Sequence, residues 1–154
     1  MQVFKIVCSI IHIYHYLLSG KVYDMTTQRR LEKRINVDFD LEVYELIISD
    51  KPLVLPNTLR MKVLNVSASG ILLFSNLQFD VGVHFGTVLE FDNQKLFAAC
   101  VVVRKERSNT GFNYGCALLG VSEADQSRIR QFVFKEEIQQ RRRLKKEQDR
   151  TVAL

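Results

Sequence analysis

Between Ile35 and Val43 the sequence alternates without a break. Ile35, Val37, Phe39, Leu41 and Val43 are apolar, and Asn36, Asp38, Asp40 and Glu42 between them are polar. A period of two sends successive side chains to opposite faces of a strand, so this stretch folds with one face on a core and the other in water. Leu59, Met61 and Val63 repeat the pattern, and short apolar runs follow at Ile71–Phe74, Val88–Phe91, Leu96–Val103 and Phe112–Leu119. Turn-forming residues fill the gaps, notably Asp92-Asn93 and Ser108 to Gly111. A loop carrying both prolines, Pro52 and Pro56, is expected between the first two strands. No helical pattern intervenes, which excludes a β-α-β rhythm and the doubly wound nucleotide folds built on it. The pattern predicts a mainly β chain, a small antiparallel barrel or sandwich.

The two ends differ from this middle. Residues 1–24 are mostly apolar, from Val3 and Phe4 to Leu17 and Leu18, interrupted by Lys5, His12 and His15. That run falls short of the roughly 18 uninterrupted apolar residues of a spanning helix. Three readings stand side by side: a helix packed on the domain or on a partner subunit, a membrane-contacting or exported segment, or an extension upstream of a start at Met25. At the other end Ser122 can cap a helix, with Asp125 three residues on in an acidic variant of the capping box. Ile129, Phe132 and Val133 share one face of it, whereas the charged stretch from Gln139 to Lys146 has little to bury. The expected division is 1–24 as an apolar, helical extension, 25–134 as barrel plus the first part of the helix, and 135–154 as a charged, solvated helical tail. Apolar positions do not recur at heptad spacing there, so no coiled coil is expected.

A catalytic or metal site is not expected. The three histidines are scattered, Ser67 has no evident histidine base, and phosphate-binding glycine loops are missing from the sequence. Three cysteines, Cys8, Cys100 and Cys116, without C-x-x-C spacing, argue against a disulfide framework or zinc site and for a reducing, cytoplasmic setting. Asp38, Asp40 and Glu42 read as a solvated strand face. The net charge of +5 favours an anionic partner.

Two short patterns fit such a partner. Arg30 and Arg34, with Arg29 just before them, form an Arg-x-x-x-Arg arm at the entrance to the first strand. Guanidinium forks pair bidentately with phosphate and can read O6 and N7 of guanine. The second pattern is Asn65-x-Ser67-x-x-Gly70 at a strand end. An asparagine amide can bond a base edge, a serine hydroxyl can bond phosphate or pin a turn, and glycine admits close backbone approach.

In this order and setting the two patterns resemble the PilZ domain family, over about Gln28 to Phe134, including the closing segment Tyr114 to Asp125. The resemblance implies a six-stranded antiparallel β-barrel with a C-terminal helix. It also implies a non-catalytic receptor for bis-(3′,5′)-cyclic diguanylate, with no other cofactor. By motif position, Arg30 and Arg34 would grip phosphates and guanine edges, with Arg29 as a helper. Asn65 and Ser67 would contact guanine and phosphate, and Gly70 would allow the turn. The like-charged arm, Gln28 to Arg34, is expected to be mobile until a dianion folds it across the barrel and alters the surface offered to a protein partner in motility, pilus or exopolysaccharide machinery. Two alternatives remain: a PilZ-like docking module that binds no ligand, and a small basic barrel that binds single-stranded nucleic acid. Residues 1–24 offer a further route to self-association or peripheral membrane contact.

Overall fold

A computed structural model describes residues 32–49 and 51–152. The segment 1–24, the Met25 start and the arginines Arg29 and Arg30 therefore lie outside the described residues. Six strands, β1 (Ile35–Ile48), β2 (Lys51–Val66), β3 (Gly70–Ser75), β4 (His84–Phe91), β5 (Gln94–Arg107) and β6 (Phe112–Leu119), precede one helix, α1 (Glu123–Val152). All strand pairs are antiparallel, and the sheet closes on itself in the order β1-β2-β3-β6-β5-β4. Closure gives every strand a neighbour on both sides. The expected mainly β barrel with a terminal helix is what the chain forms.

The alternation works as read. Leu41 and Val43 of β1, Met61 and Val63 of β2, Leu73 of β3, Cys100 and Val102 of β5 and Tyr114 and Cys116 of β6 all point into one core. The hairpin between β4 and β5 turns on Asp92 and Asn93, both at positive φ (49° and 62°), the two-residue geometry that follows strand twist. Tyr114 reaches out of the core to fasten a loop: its hydroxyl donates to the Leu77 carbonyl (2.7 Å) and accepts from the Phe79 amide (2.9 Å).

The expected proline loop is corrected by the structure. Both prolines lie within β2, because β1 and β2 form one long hairpin. Pro52 pairs with Ile47 near the hairpin end, and Pro56 falls where the register jumps from Glu45↔Val54 to Val43↔Leu59. A bulge is one of the few places in a sheet that tolerates a residue without an amide hydrogen. The strands β4 and β5 also run longer than the apolar runs suggested, from His84 and from Gln94 to Arg107.

Ser122 caps α1 as expected. Its hydroxyl accepts from the Asp125 amide (3.1 Å) and donates to the Asp125 carboxylate (2.7 Å). Ile129 and Val133 are buried in the main core, and Phe132 stacks near Phe91 (4.6 Å between centroids). From Arg141 to Thr151 every residue is exposed.

Candidate ligand-binding site

The segment entering β1 is fixed to α1 at three points. Glu32 meets Arg130 (3.0 Å), Lys33 meets Glu137 (2.5 Å), and the Gln140 amide donates to the Asn36 carbonyl (2.8 Å). The Lys33 ammonium, hydrogen-bonded to Glu137 and aided by Arg141, holds that carboxyl below the usual glutamate range. Arg34 lies between two of these attachments, is exposed, and makes no ion pair among the described residues. Because Ile35 pairs with Val66, Arg34 enters the sheet beside the turn that joins β2 to β3.

That turn is built by the second motif. The Ser67 amide donates to the Gly70 carbonyl (2.8 Å), while the Ser67 hydroxyl accepts from the Gly70 amide and donates to the Gly70 carbonyl (3.2 Å each). Ser67 is 1% exposed. Its hydroxyl is committed to holding the turn closed, one of the two uses open to a serine here. Gly70 does not sit at positive φ. Its requirement is contact: a Cβ there would stand 2.6 Å from the backbone oxygen of Cys116. The Leu118 amide donates to the Ser69 carbonyl (2.9 Å), so the turn is also bonded to β6.

A register irregularity between Val63 and Asn65 turns Asn65 to the outer face, half-buried and with no hydrogen bond among the described residues. It stands in a cross-strand row running Asn36, Asn65, Leu72, Gly115 and Arg104. Gly115 keeps the row low between Leu72 and Arg104, and Arg104 leans over it, its Cβ 3.3 Å and its Nε 3.4 Å from where a Gly115 side chain would begin. Arg104 is half-exposed and pairs with Glu106 (3.3 Å). The structure thus brings Arg34, Asn65 and the Ser67–Gly70 turn to one side of the barrel, and it adds two residues that the sequence reading missed. Their signal was faint: the bulge between Val102 and Arg104 ends the alternation of β5 and sends Arg104 outward. A separate open groove between β1 and α1 is lined by Asp38, Glu136 and Arg143, a mixed-sign lining unlike the arginine and amide row. Among the described residues no group of side chains could hold a metal ion.

The sequence profile of the PilZ domain matches residues 28–135. The chain belongs to the PilZ domain family. The matched region starts at the arm and ends on α1, so both sequence patterns and all six strands lie within it. A search of curated proteins returned no match. Among solved structures, the PilZ barrel is similar to the c-di-GMP-bound PilZ domain of YcgR from Escherichia coli (16% identity, 77% of this chain and 99% of that one, TM-score 0.56). It is similar also to the longer YcgR in complex with c-di-GMP (17%, 77% and 50%, TM-score 0.62). A third likeness is the Bacillus subtilis inhibitor of motility, MotI/DgrA (18%, 73% and 52%, TM-score 0.56). The match thus covers about half the length of MotI/DgrA and of the longer YcgR chain. At these identities the likeness is one of fold.

Proposed function

We propose that this PilZ chain is a non-catalytic receptor for cyclic diguanylate (c-di-GMP) and passes the binding event to a protein partner in the cytoplasm. The observation that carries this reading is the outer-face row in which Asn65, Leu72, Gly115 and Arg104 follow one another, low at Gly115, with Arg34 at its entrance. A cyclic dinucleotide presents two phosphate charges and two flat purines. Arg34, with Arg29 and Arg30 from the arm, supplies forks for the phosphates and the O6/N7 edge of guanine. Asn65 offers an amide to a guanine edge. Gly115 leaves room for a base to lie flat on the sheet, and Arg104 can stack on it. Ser67 and Gly70 serve by fixing the turn that sets Asn65 in place. That the similar YcgR structures hold c-di-GMP supports the same ligand here.

Binding is proposed to draw the arm over this face and hold it there. The part of the arm next to β1 is already attached to α1 through Glu32 and Lys33. Neutralising the clustered arginines with a dianion fixes the rest against the barrel and changes the surface that α1 and the arm share. The described helix is not long and apolar enough to cross a membrane, and the partner is taken to dock on this exposed surface.

Isothermal titration of cyclic diguanylate into the full chain tests the reading, with GTP and cyclic GMP as competitors. Saturable binding is expected, weakened more than tenfold by Arg34→Ala and less by Arg104→Ala, where tenfold corresponds to about 1.4 kcal/mol. Absence of binding in the folded parent would overturn it in favour of a PilZ module that docks on proteins without a ligand.

A further inference from the structure

Five apolar residues lie on the outside of the barrel and are nonetheless shielded from water. Their chain neighbours Leu46, Ala98, Cys100, Cys116 and Leu118 form the core, so alternation turns Ile47, Ala99, Val101, Ala117 and Leu119 outward. These five are a separate cluster, and none is more than 8% exposed. They occupy two adjacent cross-strand rows. One runs Ile47, His84, Val101, Ala117 and Gly70, and the other Glu45, Gly86, Ala99 and Leu119. Gly86, Ala99 and Ala117 leave shallow places among the larger Ile47, His84, Val101 and Leu119.

Glu45 is an independent sign of a cover. It is 0% exposed, it shares the outward parity of Ile47, and neither carboxylate oxygen has a hydrogen-bond partner among the described residues. A carboxyl on the open outside of a barrel would be hydrated. The described helix does not serve as the cover, since α1 is rooted in the main core through Ile129 and Val133 and beside Phe91 through Phe132.

The chain has a segment of matching character. Residues 3–18 carry Val3, Phe4, Ile6, Val7, Ile10, Ile11, Ile13, Leu17 and Leu18, with Lys5 as their one formal charge. The sixteen residues from Leu18 to Arg34 can span up to roughly 50 Å, enough to reach any part of the barrel. We propose that residues 1–24 dock across the outer face of β1, β4, β5 and β6, on the seat formed by Ile47, Ala99, Val101, Ala117 and Leu119. Docking removes an apolar patch from water within one molecule, with no loss of translational freedom. The seat ends at Gly70, so its occupant borders the row that holds Asn65.

Cysteine pairing in the full chain tests this without nucleotide, so its outcome is separate from that of the titration. Cys100 and Cys116 are buried, with thiols pushed up by desolvation, and do not compete for oxidation. A new cysteine is placed on the seat by Ala99→Cys or Ala117→Cys, or on β2 by Arg60→Cys as the control. The segment's own cysteine is kept at Cys8 or moved in turn to Val7, Ser9, Ile10 and Ile11. After mild diamide oxidation of dilute protein, the expected result is an intramolecular disulfide at the seat for at least one position and none at Arg60→Cys. Interchain disulfides in a chain that scatters light as a dimer would overturn the proposal in favour of a second copy as the cover. Pairing at the seat no greater than at Arg60→Cys, across all five positions, would overturn it outright.

Discussion

The α-carbon of Gly70 faces the Cys116 carbonyl so closely that a methyl group there would stand 2.6 Å from its oxygen. Both atoms belong to paired backbone, β3 against β6, and neither is the end of a flexible side chain. Gly70→Ala is therefore expected to push the two strands apart, at about 1–3 kcal/mol. A urea titration of parent and variant measures it, and an unchanged midpoint would refute the contact argument.

Ser67 and Asn65 are separable. Ser67→Ala removes the hydroxyl that closes the turn and leaves Gly70 without that partner, a loss of about 1–2 kcal/mol in stability. Asn65→Ala removes an amide with no hydrogen bond among the described residues and is expected to leave the melting temperature within a degree or two of the parent. Differential scanning fluorimetry without ligand reads the contrast. Titration of cyclic diguanylate should then show weakened binding in both variants.

Tyr114 holds the loop between β3 and β4 through one donated and one accepted hydrogen bond. Tyr114→Phe keeps the ring packing and strands the Phe79 amide and the Leu77 carbonyl. The expected cost is about 1–3 kcal/mol. Amide exchange should quicken at Phe79 before it does so elsewhere in the barrel.

Glu45 gives the fold a pH dependence of known sign. Burial raises its carboxyl above the ordinary glutamate value, so the folded state binds this proton more tightly than the unfolded chain does. Its share of stability is full below the unfolded pKa and is lost as pH rises through the folded one. Glu45→Gln, which cannot ionise, should match the parent near pH 4 and exceed it increasingly toward neutrality. Denaturation midpoints across that range test the sign, and a gap that narrows with rising pH would contradict it.

Much of the barrel was legible in the sequence because its strands are half-buried and alternate cleanly, as Ile35 to Val43 do. The reading failed where another principle took over. Pro52 and Pro56 are loop signals, yet the long β1–β2 hairpin absorbs Pro56 at a bulge and Pro52 near its end. The same kind of irregularity hid Arg104, since a bulge shifts the phase of alternation and only the cross-strand register shows which side the residue faces. Gly70 was legible as a glycine requirement, but its cause was not: spacing along the chain carries no record of how near Cys116 passes. The sequence leaves Ser67 two uses, and only the folded turn shows its hydroxyl bonded to Gly70.

The carbonyl of Asn36 receives the last attachment between the barrel and α1, from Gln140, and the same residue pairs with Asn65 in the outer row. Beyond that attachment α1 continues for twelve residues, from Arg141 to Val152, about 18 Å of helix. Mechanically this is a lever with its fulcrum at Gln140. A helix is stiff along its axis, so a small tilt where Asn36 holds it becomes a larger sweep at the charged tip. On the proposed function, a ligand held by Asn65 would press one residue away from that pivot.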